Sequence, residues 1–315
     1  MSRVLNGSDL VRDDVRTRVE AAMTELGYIP DVAAQSLATR RSRTLGAIIP
    51  TLKNAIFAEG VNALEEAARG RGYTLLIAIS NYDPELETEL IRRMIERGVD
   101  GLMLVGNHRA PAAQDLLKKT GLLHVCGWSF DPQPGTANVG FDNGAAMHPL
   151  VDHLVERGHR EIAMLAANTQ ANDRARDRVA GVRARLVHHG LELRSDRLAE
   201  VAYSIRDARA ALPRLLATKP TAVICGNDTI ALGAILAAQS AGVRIPQDLA
   251  VTGFDNLTLS AEMSPALTTM HVPAVEMGEL IAAALIDAVE GETPPPSHKL
   301  TPRLIVRETT MEPAL

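Results

Sequence analysis

One tryptophan, four tyrosines and four phenylalanines are all the aromatic residues of this chain, so their positions carry information. Phe57, Tyr82, Trp128, Phe130, Phe141, Tyr203 and Phe254 stand at or just beyond the carboxyl end of an apolar run that reads as a strand. Polar residues gather at the same ends: Asn54, Asn81, Asn107, Asp142, Asn143, Asn168, Asn227, Asp228, Asp255 and Asn256. Rings beside amides and carboxylates suit a small polyhydroxylated or heterocyclic ligand, whose faces stack on the rings and whose hydroxyls take the polar groups. A plainer reading stands beside this one. Asn and Asp are preferred N-caps of the helices that follow such strands, and an aromatic at a strand end is often simply core. Arg174, Arg176 and Arg178 open a further helix, where the dipole disfavours cations. They must be solvated, paired with Asp173 or Asp177, or turned toward a ligand, on which a guanidinium can fork.

Covalent or metal chemistry has no such footing. The sequence contains no GxGxxG, P-loop, GxSxG or HExxH pattern. His148 and His153 are five apart, a poor helical metal pair, and no His/Cys/Asp cluster has ligand spacing. Neither a cofactor nor a metal is expected. Cys126 and Cys225 lie far apart in apolar runs and read as buried thiols; His188 and His189 read as a solvated helix end.

The elements that would position these residues alternate. Apolar runs at 45–50, 74–80, 101–106 and 122–128 are separated by amphipathic stretches at 58–70, 85–97 and 112–120, each ending near a glycine. After the strand-like run 137–141 the rhythm restarts with 162–168, 198–203, 221–227 and 249–254. This predicts an α/β fold of two doubly wound parallel-sheet lobes with a cleft at their strand ends. A helix over 274–290 and a last strand over 302–308 send the chain between lobes more than once, while residues 1–45 are helical, charged and strandless. The length of 315 residues and 46% hydrophobic content support such a core. The net charge of −5 excludes a nucleic-acid-coated protein but permits one small basic element. No secretory h-region opens the chain and no apolar run spans a membrane, which predicts a cytoplasmic protein with no membrane partner.

At this point the order and spacing of many segments resemble the LacI/GalR family of transcriptional regulators. They include MSRVLNG (1–7), VRDDVRTRVEAAMTELGYIP (11–30), DVAAQSLATRRS (31–42), LGAIIPTLKNAIFAE (45–59), NDRARDRVAGV (172–182), PTAVICGNDTIALGAI (220–235) and GVRIPQDLAVTGFDN (242–256). The resemblance covers nearly the whole chain. It implies periplasmic-binding-protein-like lobes preceded by a partial helical DNA-binding head and a hinge helix. The implied layout is a helix-turn-helix remnant over 1–30, a hinge helix and linker over 31–44, an N-terminal lobe of 45–141 plus 274–299, and a C-terminal lobe of 142–273 plus 300–315.

For function the resemblance implies a homodimeric regulator, a repressor, that binds double-stranded operator DNA and responds to a small, sugar-like effector. It carries Leu37 onto the family's minor-groove wedge, with Ala33 and Ala34 allowing close approach and Arg40 and Arg41 reaching phosphates. It places Ser2, Arg3 and Asn6 on the tail of the recognition helix. Arg178 and Asp255 match the family's ligand-holding pair; Ile56 and Phe57 match a first-lobe apolar pair, Trp128 and Tyr203 an aromatic on each lobe, and Asn227 and Asp228 a motif beside the pocket. Asn54 joins them from its strand end. Gly127 and Ile56 depart from residue types common at their positions, which weakens transfer of any particular ligand. Met1 falls inside the expected recognition helix, about twenty residues into the head, so the 315-residue sequence is expected to lack sequence-specific operator reading. A rival from another class, a solute-binding protein feeding a transporter, shares the two-lobed core but would require export.

Overall fold

The structure is a computed structural model that describes residues 4, 11–27, 41–132, 135–291 and 293–310. Ser2, Arg3, Asn6, Ala33, Ala34, Leu37 and Arg40 lie outside the described residues. Helix α1 (Asp13–Glu25) carries Asp13 and Asp14 in its first turn, where the helix dipole favours negative charge. Arg41 turns back to the body of the protein, its Nη2 donating to the Glu290 carbonyl at 3.3 Å.

The first sheet is parallel throughout. Its strands are β1 (Thr44–Ile49), β2 (Thr74–Ile79), β3 (Gly101–Val105), β4 (Leu123–Gly127), β5 (Ala137–Gly140) and a late two-residue strand, β11 (His298–Lys299), in the order β11-β5-β4-β3-β1-β2. The two-residue period of a strand divides β1 between two cores. Leu45, Ala47 and Ile49 join helices α2 (Ala55–Gly70) and α10 (Ala274–Gly291) on one face. Ile48 joins α3 (Pro84–Glu96) and α4 (Pro111–Thr120) on the other. Burial on both faces explains why these strands read as unbroken apolar runs.

Helices α2 and α10 touch through glycines. A Cβ on Gly278 would stand 2.2 Å from the Gly60 carbonyl, and one on Gly60 would stand 2.6 Å from the Trp128 ring.

A short 3-10 turn (Ala145–Met147) and α5 (His148–Glu156) lead into the second sheet, of β6 (Ile162–Ala167), β7 (Leu198–Val201), β8 (Ala222–Cys225) and β9 (Ala250–Thr252). Its order is β7-β6-β8-β9, again parallel. Helix α6 (Asp173–His188) packs with α5 on one face, and α7 (Ile205–Leu216) with α8 (Asp228–Ser240) on the other. Beyond α9 (Thr258–Glu262), β10 (Thr269–His271) pairs antiparallel with the final strand β12 (Arg303–Ile305). The chain therefore leaves the second sheet for α10 and β11 and then returns. The last predicted strand is shorter than 302–308, and β11 follows the proline-rich run that hid it. Both cysteines are buried and free, as expected. His189 is not simply solvated: its Nε2 lies 2.6 Å from Asp152, which also takes two bonds from Arg185.

Candidate ligand-binding site

The carboxyl ends of strands from both sheets converge on a cavity of about 700 Å³, whose lining includes Asn54, Asn81, Tyr82, Asn168, Asn172 and Tyr203. Tyr82 follows β2 and Tyr203 follows β7, and their rings stack across the cleft with centroids 5.9 Å apart and 25° between planes. Asn172 donates to the Tyr203 hydroxyl at 3.3 Å. The Tyr82 hydroxyl is buried without a hydrogen-bond partner among the described residues, and burial pushes its pKa up. Asn54 Oδ1, at the start of α2, is likewise buried and unpaired.

Part of the strand-end polar set does cap. Asn227 accepts from Ile230 N–H at the head of α8 and Asp142 from Ala145 N–H at the 3-10 turn; outside that set, Asn172 accepts from Ala175 N–H at α6 and Ser204 from Asp207 N–H at α7. Asn172, a residue outside that set, both caps a helix and lines the cavity.

Deeper in the cleft lies a buried chain of polar contacts. Arg178 donates from Nε to Asn143 Oδ1 at 3.0 Å and from Nη1 to the Gly226 carbonyl at 2.7 Å, and its guanidinium stands 4.1 Å from the centre of the Phe254 ring. Asn143 in turn donates to the Trp128 carbonyl at 2.9 Å. This string ties the end of β4 to α6 and β8. Asp255, left-handed at φ 117°, is buried with Oδ2 unpaired. Burial raises its carboxyl well above the usual range, and the nearby Arg178 charge opposes that rise.

The nine candidates separate by depth. Asn54 and Tyr203 face the cavity. Arg178, Asp255, Phe57 and Trp128 are buried behind it, the last two edge to face at 5.3 Å, and Ile56 joins the same core. Asn227 is buried as a cap. Asp228 faces the fold rather than the cavity: it accepts from Ser260 Oγ and Thr269 Oγ1, each at 2.6 Å, and from Leu257 N–H at 2.8 Å.

Burial nonetheless raises Asp228 to about 6, above what those bonds pull back. The folded chain then holds a proton that the unfolded chain, with its carboxyl near 3.9, releases. The stability from this group is complete at low pH and lost as pH rises from about 4 through about 6, on the order of 3 kcal/mol in all. Urea unfolding of wild type and Asp228→Asn across that window checks it. The gap between the two proteins should change by that amount, and a gap constant with pH would show that Asp228 does not titrate there.

One group that sequence reading treated only as a partner for arginines proves central to the cleft. Asp173, first residue of α6, reaches the loop after β3: Oδ2 accepts from Asn107 N–H at 2.6 Å and His108 N–H at 3.0 Å, while Oδ1 accepts from Arg174 N–H at 2.9 Å and Nη1 at 2.7 Å. Burial alone would raise its carboxyl; the Arg174 charge and the three backbone donors outweigh it and hold the group below its ordinary value. Gly106, at φ 75°, makes room, since a Cβ there would lie 2.2 Å from Arg174 Nη1 and 2.5 Å from Asp173 Oδ1. The sequence signal was an acid in a first helical turn, which usually means only dipole compensation.

Residues 151–310 match the family described as periplasmic binding protein-like domain, and residues 1–31 match bacterial regulatory proteins, lacI family. The chain is 32% identical over 294 residues to the HTH-type transcriptional repressor PurR of Erwinia tasmaniensis, covering 92% of this chain and 86% of that protein. It is 30% identical over 295 residues to catabolite control protein A of Priestia megaterium, covering 93% of this chain and 89% of that protein. The structure of the lac repressor dimer bound to operator and the anti-inducer ONPF superposes with a TM-score of 0.89 at 27% identity, covering 99% of this chain and 94% of that one.

Proposed function

The chain belongs to the LacI family of bacterial regulatory proteins, and from that premise we propose that it is a repressor whose effector is a small, polyhydroxylated metabolite bound between the two sheets. The observation that carries this reading is the Tyr82–Tyr203 stack, one ring from each sheet, over a cavity rich in asparagine amides. An asparagine amide both donates and accepts, which is what a sugar hydroxyl needs, and an aromatic face suits the apolar face of a pyranose. The chemistry is binding rather than catalysis, as in its regulator relatives.

The proposed setting is a cytoplasmic homodimer on double-stranded operator DNA. No helix among the described residues is long and apolar enough to cross a membrane. In this reading residues 1–44 belong to the DNA-binding head and hinge, with Leu37 as the wedge and Arg40 and Arg41 on phosphates. Residues 45–141 plus 274–299 form one lobe and 142–273 plus 300–315 the other. Effector alters operator affinity only insofar as it binds the open and closed cleft unequally. Asn54 and Tyr203 contact the ligand; Ile56, Phe57, Trp128, Asn227 and Asp228 set the wall behind them. Arg178 and Asp255 complete the deep end.

A thermal-unfolding screen against sugars, polyols, sugar acids and nucleobases tests this. A ligand at a hundred times its Kd stabilises by about 2.7 kcal/mol. The expected result is a sugar or polyol that raises the melting temperature of wild type and not of Tyr203→Ala. Stabilisation that survives Tyr203→Ala, or by nucleobases alone, would overturn the reading.

A further inference from the structure

We propose that the cleft is built for a neutral ligand of two linked polyhydroxylated rings, one over the tyrosines and the other in an adjoining charged cavity. The inference rests on the effector reading above and extends it to ligand class. The second cavity has a volume of about 550 Å³ and shares Pro50, Tyr82 and Gln170 with the first. Each volume by itself lies in the roughly 300–1,000 Å³ range of a complete small-ligand site, and a one-ring ligand would fill only one of the two.

The wall of the second cavity brings together charges from both sheets. Arg109 and Glu87 come from the first side, Asp173 and Arg174 from the second, and Arg109, Asp173 and Arg174 are buried. Arg109 spends Nη2 on the Gly106 carbonyl at 2.8 Å and Nη1 on Cys126 Sγ at 3.4 Å, with Nε 3.2 Å from Glu87 Oε1. Arg174 spends Nη1 on Asp173. The two cations and two carboxylates cancel in formal charge, so this end of the cleft offers an anion no net attraction. Beyond those bonds Arg109 and Arg174 keep further guanidinium N–H donors and Glu87 keeps a second carboxylate oxygen, which a run of hydroxyls satisfies in both senses. His108 and Gln114 add polar groups at the exposed rim.

The junction supplies the second observation. Tyr82 lines both cavities, and its buried hydroxyl has no partner among the described residues. Buried hydroxyls are rarely left so. An oxygen at or beside the bond linking two rings would lie between the cavities, where this hydroxyl can donate to it.

Titration calorimetry of the full chain tests the inference, with glucose and galactose as one-ring probes, a panel of neutral disaccharides, and the same disaccharides oxidised to aldonic acids. At least one neutral disaccharide should bind about tenfold or more tighter than either monosaccharide. Tyr82→Phe, which keeps the ring, should lower the disaccharide-to-monosaccharide affinity ratio by about five- to tenfold, the worth of one hydrogen bond. Gln114→Ala, at an exposed position, should move that ratio in the same direction. Monosaccharides binding as tightly as every disaccharide, a preference for the acids, or a ratio unmoved by both variants would overturn the two-ring proposal and leave the effector reading standing. Failure of every sugar, of one ring or two, to bind would tell against both.

Discussion

Arg178→Ala is expected to lower the stability of the chain by about 3 kcal/mol and to abolish its response to effector. The guanidinium is buried, and its two hydrogen bonds hold Asn143 and the Gly226 carbonyl while its plane lies against Phe254. Truncation leaves an amide oxygen and a main-chain carbonyl in an interior that water reaches poorly, and such orphans cost about 1–3 kcal/mol each. It also removes the positive charge nearest Asp255, whose carboxyl burial already disfavours in its ionised form. In a chain of this size the melting temperature should fall by roughly 5 °C. Arg178→Lys should fall between, because an ammonium cannot make the same forked contacts. Calorimetric melting of the three proteins checks this. A loss under about 1 kcal/mol for the alanine variant would show that water or rearranged neighbours replace the arginine without penalty.

The second large effect is at Gly106, where Gly106→Val should cost about 3–5 kcal/mol and open the cleft. Two causes add. A β-branched residue at φ 75° is strained by about 1–2 kcal/mol. Its Cβ would also collide with Arg174 and Asp173, breaking the four bonds that Asp173 makes. Asp173→Ala removes those bonds with no backbone strain, so it should reproduce most of the loss and all of the opening. Small-angle scattering reports the opening as a larger radius of gyration, and urea unfolding reports the stability. If Gly106→Val is destabilised but no more open than wild type, the contact across the cleft does not hold the two sides together.

The parallel sheets were legible because strands buried on both faces leave continuous apolar runs, and β1 to β9 fall within a few residues of where those runs lie. Strand β11 was not, since two residues after a proline-rich stretch make no pattern. The close approach of α2 and α10 was also hidden: Gly60 and Gly278 look like ordinary helix-weakening glycines until their partners are known.

At the site, the gathering of rings at strand ends was legible, but the depth of each ring was not. Tyr82 and Tyr203 meet in the cleft, whereas Phe57, Trp128, Phe141 and Phe254 belong to the core. Which fate a ring meets depends on how the two sheets are set against each other, and no local spacing encodes that. The role of Asp173 was hidden for the same reason. Its two amide donors at Asn107 and His108 are more than sixty positions away.

The contact made by Asp173 is with main-chain amides, which every residue except proline offers. Asn107 is held by its own side chain, which donates to Asn138 at 2.9 Å, but the His108 side chain is exposed and takes no part in closure. Position 108 is therefore a place where descent with modification can proceed with little constraint from this contact. A lineage could exchange the residue there, acquire a different ligand preference, and inherit the contact across the cleft intact. A contact made through the backbone would let recognition at position 108 diverge while the tie between the two sides of the cleft is kept.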